Sequence, residues 1–287
     1  MSEKIKPDFN VADKTTLVDQ QPIKDSFIDT LVRMHRHSPE DAEATYEREA
    51  RYFKRLISQS DWLKESTGIS LCSSFFEVAI TGLSLQPGSK SDAYLEARSA
   101  EQMVEGQKRW VKVARLVVTA YGELNLRIKS GQIIRMNNPI VIYDGDKFQP
   151  CTNERGELKI DYMPAIPRKT NKIIGVYVCI VLPHNGIDFK WLLEDDITRL
   201  ANYSKTKTQK DGNALYSAND GQIDPGFLEA KCIKHAMRAY TKLKVSENVA
   251  FEGDDAEDDQ QPKAFTEEAQ KIAAVQITKP EDEEESF

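Results

Sequence analysis

Apolar residues recur at three- and four-residue spacings in the first third of the chain, which is typical of amphipathic helices. Residues 27–34 predict a short helix, and residues 46–57 predict a longer one. Ser38 and the proline after it indicate where the longer helix begins, because serine caps helix N-termini and proline fits the first turn. Residues 71–85 are apolar on every side and predict a buried helix that ends at Gly82.

Between Trp110 and Leu193 the pattern changes to short segments rich in valine, isoleucine and tyrosine, which favour β-strands. One helix, over residues 122–130, is expected among them. The dipeptides Asp144-Gly145 and Asn185-Gly186 are typical of hairpin turns, since both glycines can adopt a positive φ. The second dipeptide separates two strongly apolar segments and predicts an antiparallel pair.

Helical patterns return after the strands. Residues 194–203 predict a helix, residues 204–223 a polar loop, and Asp224-Pro225 the start of a last helix that runs to about Tyr240. This order predicts an α+β fold, in which N- and C-terminal helices flank an antiparallel sheet with an inserted helix.

The ends of the chain lack a hydrophobic period. We therefore expect a flexible N-terminal arm over residues 1–22, one folded domain over residues 23–245, and a disordered acidic linker and tail over residues 246–287.

Charge is distributed unevenly along the chain. The net charge is −7, yet residues 246–287 hold 14 acidic and 3 basic residues, whereas residues 108–242 hold 22 basic and 14 acidic ones. A basic body beside an acidic tail favours a polyanionic partner for the body.

Signatures of catalysis are absent from the sequence. It has no phosphate-binding loop, no nucleophile elbow and no zinc-protease helix, and its four cysteines lack metal-ligand spacing. The acidic run at Glu194 opens a predicted helix, where carboxylates favour the helix dipole. We therefore expect no catalytic residue, metal or cofactor.

Two further absences bear on location. No apolar run reaches the roughly 20 residues that span a bilayer, and the N-terminus lacks the apolar stretch of a secretory signal. The sequence thus predicts a cytoplasmic protein.

Basic residues alternate with aromatic and β-branched ones from Lys108 onward. Lys112 and Arg115 lie three residues apart and should point to opposite faces of a regular strand. Arg127 and Lys129 follow on the inserted helix. Such cations either track a phosphate backbone or form a surface sheet with paired salt bridges, and the pattern leaves both open.

Two more groups of cations precede the tail. The predicted loop carries Lys205 and Lys207 without a neighbouring carboxylate, and the last helix carries Lys231, Lys234 and Arg238 at three- and four-residue spacings. A solvated helix face explains the second group equally well. A basic loop beside a basic helix nevertheless favours nucleic acid.

Six segments, in this order, resemble the RecT family of phage recombination proteins. The resemblance runs from about Leu71 to Leu243, about 60% of the chain, and the segments that carry it read ITGLSLQPGSKSDAYLEAR, TAYGELNLRIKSGQI, NPIVIYDGDKF, IIGVYVCIVLPHNG, EDDITRLANYSK and FLEAKCIKHAMRAY. Departures exist: Tyr121 stands where the family has lysine, residues 96–98 replace a proline-containing pair, and the loop before the last helix lacks the usual tryptophan.

The resemblance implies ATP-independent binding of single-stranded DNA and annealing of complementary strands in homologous recombination. It implies a homo-oligomer, as a ring or a helical filament, with annealed duplex DNA as product. A partner exonuclease and the single-strand binding machinery of a bacterial host are the implied protein partners. It would place Lys205, Lys231 and Arg238 near a DNA groove, with Arg115, Arg127 and Lys129 as additional candidates.

The acidic tail has a separate resemblance. Its final segment, PEDEEESF, is similar to the acidic, phenylalanine-ended tip of bacterial single-strand binding proteins, which would make Phe287 a partner-binding residue. The alternative is a solubilising tail that repels nonspecific DNA.

Two other functions remain open from the residues alone. One is a metal-dependent phage nuclease, which needs carboxylates that converge in space. The other is a structural phage assembly protein, whose sheet mediates only contacts between subunits.

Overall fold

The computed structural model describes residues 6–104, 107–154, 156–208, 212–246 and 248–252. Helices and mainly antiparallel strands confirm the predicted α+β class. Within these ranges no helix has both the length and the apolarity needed to cross a membrane. The described chain divides into two compact units, residues 6–122 with 245–252 and residues 123–244, where the sequence predicted one domain over 23–245.

The first unit combines four helices with a three-stranded sheet. Its elements are a 3-10 helix Lys14–Asp19, α1 Gln21–His35, α2 Pro39–Gln59, α3 Asp61–Lys64, α4 Gly68–Thr81, β1 Ala93–Val104, β2 Gln107–Val118 and a late strand, β9 Val249–Phe251. Helix α5 starts at Ala120 and continues into the second unit.

The predicted N-terminus of α2 and the predicted C-terminus of α4 are confirmed. The Ser38 hydroxyl accepts a hydrogen bond from the Asp41 N–H at 3.1 Å, and Pro39 occupies the first turn. Gly82 follows α4 with a φ of +64°, a left-handed conformation that glycine adopts without steric cost. Both signals are local, which is why the sequence located them.

Helix α4 is buried because aromatic rings from two other helices surround Phe75. Its ring stacks on Phe27 at 4.5 Å between centroids, lies 4.9 Å from Phe53 and meets the edge of Tyr46 at 6.2 Å. Aromatic pairs at such separations add to the free energy of burial. This cluster joins α1, α2 and α4 into one core.

The predicted flexible arm differs from the structure. Residues 14–19 form a 3-10 helix capped by Asp13, and Leu17 and Val18 are buried. The Tyr46 hydroxyl donates a hydrogen bond to the carbonyl of Val18. Two apolar residues in a polar stretch show no period, so their burial in the core could not be predicted from the local pattern.

The predicted boundary at residue 246 also differs from the structure. Strand β9 runs parallel to β2, with Val249 opposite Leu116 and Phe251 opposite Val118. Just before it, the Ser246 hydroxyl donates to the buried carboxylate of Glu77 at 2.5 Å. Residues 245–252 thus belong to the first unit, and the predicted disordered tail from residue 253 lies outside the described residues.

The second unit contains most of α5, six strands and two further helices. The elements are α5 Ala120–Lys129, β3 Arg135–Met136, β4 Ile140–Tyr143, β5 Lys147–Thr152, β6 Leu158–Met163, β7 Ile173–Val181, β8 Ile187–Leu193, α6 Glu194–Thr208 and α7 Pro225–Met237.

Strand β7 is the centre of the main sheet of this unit. It pairs antiparallel with β3, β4 and β8, while β5 and β6 form a separate two-stranded sheet. The antiparallel pair around Asn185-Gly186 is confirmed, since β7 and β8 pair over seven positions. The hairpin expected at Asp144-Gly145 is wrong, because β4 pairs with β7 and not with β5. A turn dipeptide fixes a local bend and leaves the choice of partner strand to packing.

The predicted loop over residues 204–223 is partly wrong, because α6 continues to Thr208. The apolar period ends near Tyr203, but neither glycine nor proline interrupts the chain before Gly212. Lys205 and Lys207 therefore lie on a helix.

Truncation of Phe75 tests the aromatic core. Phe75→Ala should lower the free energy of unfolding by about 3–5 kcal/mol, because it removes a fully buried ring and leaves a cavity. Met34→Ala, on the exposed side of α1, is the control and should change it by less than about 0.5 kcal/mol. Urea denaturation measures both, and equal losses would contradict the assignment.

The buried carboxylate beside β9 gives a prediction about pH. Burial raises the pKa of Glu77, opposed by hydrogen bonds from Ser246 and Asn248. A raised pKa means that the folded state binds the proton more tightly, so stability is lost as pH rises through that pKa. Glu77→Gln should therefore be more stable than the parent at pH 7, with a smaller difference near pH 4.5. A difference that grows as the pH falls would contradict this.

Candidate nucleic-acid interface

Strands β1 and β2 pair over twelve positions without a shift in register. Lys112 lies opposite Ser99, and Arg115 lies opposite Glu96. Directly opposed residues share a face, and successive residues of a strand point to opposite faces. The prediction that Lys112 and Arg115 point in opposite directions is therefore confirmed, and the two faces of the hairpin differ in charge.

On the face that carries Arg115, one carboxylate pairs with two arginines. The Glu96 carboxylate lies 2.9 Å from the guanidinium of Arg115 and 2.9 Å from that of Arg98. Arg115 is also only 23% exposed. On this face the salt-bridged alternative of the sequence analysis describes the structure, and Arg115 has little free charge to offer a phosphate.

The face that carries Lys112 has a different environment. Its amine donates to the Ser99 hydroxyl at 3.1 Å and lies 3.2 Å from the ring centroid of Trp62. Among the residues that the structure describes, no carboxylate lies within ion-pair distance of this amine. A cation over an indole ring is held by the ring quadrupole and keeps its full charge.

Trp62 reaches this face because the segment around it is fixed on both sides. The Ser60 hydroxyl caps α3, Leu63 is buried, and the Ser66 hydroxyl donates to the Trp62 carbonyl at 2.9 Å. The next backbone N–H, of Thr67, donates to the carbonyl of Lys112 at 3.0 Å. Leu63 points into the core, whereas the indole of Trp62, the residue before it, is 54% exposed.

Trp110 completes this surface. It lies two residues from Lys112 on the same face of β2 and is 71% exposed. Lys108 follows at the same spacing, and its amine pairs with Glu101 at 3.1 Å. We call Trp62, Lys108, Trp110 and Lys112 the tryptophan–lysine face.

Exposed indoles next to cations are features that suit the binding of single-stranded nucleic acid. A base can stack on an indole ring while a lysine neutralises the phosphate beside it, and neither contact depends on the base sequence. Trp62 and Trp110 are both more than half exposed, so a base that stacked on either ring would remove apolar surface from water, which is favourable.

The structure corrects two predicted DNA contacts of the second unit, Arg127 and Lys234. Arg127 is buried, and its guanidinium donates to Glu123 at 2.6 Å, to Gln132 at 2.6 Å and to the carbonyl of Thr241 at 2.9 Å. The amine of Lys234 lies 3.0 Å from the other oxygen of Glu123 and is 12% exposed. Both cations are paired inside the unit, so neither can serve a DNA phosphate as predicted.

Other cations of α7 and its neighbours lie around His235. Burial lowers the pKa of His235; the charge of Asp196 opposes this, and the cations Arg238, Arg199 and Lys190 reinforce it. Arg238 is exposed at the end of α7, and Arg199 is exposed on α6. We call Lys190, Arg199 and Arg238 the α7 cation cluster.

The remaining predicted residues do not form one site. Lys231 is half-buried and lies over the Phe227 ring at 4.7 Å. Lys129 ends α5 and Lys205 lies on α6, both exposed. The side chain of Lys207 and the whole of Phe287 lie outside the described residues.

Carboxylates do not converge at the acidic run that opens α6. Asp196 accepts from the Leu193 N–H and pairs with Arg199, and Glu194 pairs with Lys172. Across the described ranges, no three His, Cys, Asp or Glu side chains are grouped so that they could hold a metal ion.

Sequence reasoning missed Trp62, Arg199 and Lys190 as candidates and included Trp110 only as part of a basic run. The signal for Trp62 was a tryptophan in the polar segment after Ser60, where no helical period explains it. No local signal could find Arg199 and Lys190, because their position near His235 depends on how β8 packs with α6 and α7.

Comparisons with known proteins do not assign the chain to a family. No family model matches the chain, and no curated protein matches it either. The resemblance to RecT proteins therefore stays a prediction.

Replacement of Glu123 tests the structural role of Arg127 and Lys234. Glu123→Gln should lower the free energy of unfolding by about 3–5 kcal/mol, because two buried cations lose their carboxylate. Asp195→Asn, an exposed change of equal charge, should alter it by less than about 0.5 kcal/mol. Chemical denaturation of both variants decides; a small effect of Glu123→Gln would return these cations to the DNA-binding candidates.

Proposed function

We propose that this protein binds single-stranded DNA without sequence preference and anneals complementary strands without ATP. The observation that carries the proposal is the tryptophan–lysine face. It combines two exposed indoles with a lysine that no described carboxylate neutralises. Aromatic rings and cations on one surface are what non-specific single-strand binding requires.

The proposed mechanism needs no catalytic residue. Lysine amines hold the phosphates, and the indoles of Trp62 and Trp110 hold the flat faces of bases. Stacking leaves the hydrogen-bonding edges of the bases open, so a complementary strand can pair while the first strand is still bound. Base pairing then supplies all the specificity, and the protein supplies alignment and charge neutralisation.

The α7 cation cluster is a second proposed phosphate contact. Arg199 and Arg238 are exposed; Arg199 pairs with Asp196 and Lys190 with Asp188, both at 2.9 Å, so a phosphate would replace these carboxylates as partner. Arginine offers several N–H donors to phosphate oxygens in a fixed geometry. In this proposal the cluster takes the place of Arg127 and Lys234.

The cellular setting is proposed from the resemblance to RecT proteins. In that setting the protein acts in the cytoplasm of a bacterial host during phage recombination, as a ring or filament of identical subunits. An exonuclease would supply the single strand, and annealed duplex DNA would be the product. The host single-strand binding machinery is the other proposed partner.

Fluorescence anisotropy of a labelled 30-nucleotide pyrimidine strand tests the binding surface. Trp110→Ala should weaken binding by about 5- to 150-fold, since stacking of one base on an aromatic side chain is worth about 1–3 kcal/mol. Lys112→Gln should reduce the slope of log affinity against log salt by about 0.7, which corresponds to one phosphate of a single strand.

Two control variants accompany these changes. Trp191→Phe alters the third tryptophan, which packs on Phe148 in the second unit, and Lys54→Gln removes a lysine that pairs with Asp19. Neither should weaken binding more than about 2-fold, within the usual scatter of surface substitutions. If the parent protein fails to bind at moderate salt, an assembly role replaces the proposal; if it degrades the strand in Mg²⁺, a nuclease does.

A further inference from the structure

The acidic end of the chain is anchored to the same strand that carries the tryptophan–lysine face. Strand β9 pairs with the last residues of β2, and the Glu252 N–H donates to the carbonyl of Val118 at 2.8 Å. The Ser246 and Asn248 side chains bond to Glu77 and Ser73 of α4. The chain therefore leaves the first unit from a fixed point at the C-terminal end of β2.

The residues that follow this anchor are strongly acidic. Residues 253–287 hold 12 acidic and 3 basic side chains, and five acidic residues are consecutive at 281–285. Phe287 follows them and offers an aromatic ring. The charge of this segment is complementary to Lys108 and Lys112, and its ring is complementary to the exposed indoles.

The spacing between anchor and face suits the far end of the segment. Lys112 and Trp110 lie six and eight residues before Val118, or about 20–26 Å along the strand. Residue 281 follows Glu252 by 29 residues, a length of chain that spans at most about 100 Å, so the distance to the face lies within the reach of residues 281–287. Residues 254–259 lie within seven residues of Glu252, so most of them fall short even when fully extended, at about 3.5 Å per residue.

We propose that residues 281–287 dock on the tryptophan–lysine face of their own chain and compete there with single-stranded DNA. Carboxylates of residues 281–285 contact Lys108 and Lys112, and Phe287 covers an indole. A tether of this length gives an effective concentration of roughly 1 mM, enough to sustain a weak ionic contact. DNA displaces the segment because its phosphates and bases offer both kinds of contact repeatedly.

Docking is tested first without DNA, so this test stands apart from the proposed function. A far-end variant neutralises residues 281–285 by Glu→Gln and Asp→Asn. Quenching of tryptophan fluorescence by acrylamide, a neutral quencher, should be stronger in this variant than in the parent. The difference should vanish when Trp62 and Trp110 are both phenylalanine, and it should not depend on protein concentration.

A near-end variant is the matched control. It carries Asp254→Asn, Asp255→Asn, Glu257→Gln, Asp258→Asn and Asp259→Asn, an equal change in charge in the same segment. It should leave acrylamide quenching unchanged. Equal quenching in all three proteins would overturn the proposal, and a difference that grows with protein concentration would assign the contact to a second copy and overturn it too.

The effect on DNA affinity rests on the proposed function and is measured second. If the segment covers the face in about 70–90% of molecules, the far-end variant should bind the pyrimidine strand about 3- to 10-fold more tightly. The near-end variant should change affinity by less than 2-fold. Equal gains in both variants indicate general repulsion of DNA and overturn the competition. Absence of DNA binding in all three proteins rejects the proposed function and leaves the quenching result to stand alone.

Discussion

The unbroken antiparallel pairing of β1 with β2 determines which cations of the first unit meet solvent. Twelve residue pairs without a bulge send Trp110 and Lys112 to one face and Arg115 to the other. On the second face Glu96 pairs with both Arg98 and Arg115, whereas on the first face the indole of Trp62 lies beside Lys112. A slip of one residue would exchange the two faces, so the proposed binding surface depends on this register.

In the second unit, the charged side chains that are buried differ in role from those that are exposed to solvent. Glu123, Arg127 and Lys234 form a buried group, in which each charge is tolerated because the others offset its loss of water. Arg199 and Arg238 are exposed at the surface, where Arg199 pairs with Asp196 at 2.9 Å. Cations that look equivalent along a helix therefore differ in role, because one side of α7 faces a carboxylate of α5 and another side faces solvent.

Periodicity and capping predicted most of the elements but not their partners. The ends of α2 and α4 follow from Ser38, Pro39 and Gly82, which act within a few residues. Strand pairing is non-local, so the sequence could not show that β4 leaves β5 for β7 or that residues 249–251 return to β2. The site shows the same limit: the sequence identified Lys112 through its neighbours, whereas Trp62 joins it through tertiary packing.

The rate at which two complementary strands pair in the presence of the protein tests the proposed function. Two complementary oligonucleotides, one with a fluorophore and one with a quencher, are mixed with the purified protein, without ATP. We expect the strands to remain intact and to pair faster than they do alone, with an acceleration that weakens as salt rises. An unchanged rate of pairing, with both strands bound by the protein, would contradict annealing and leave a protein that only coats DNA.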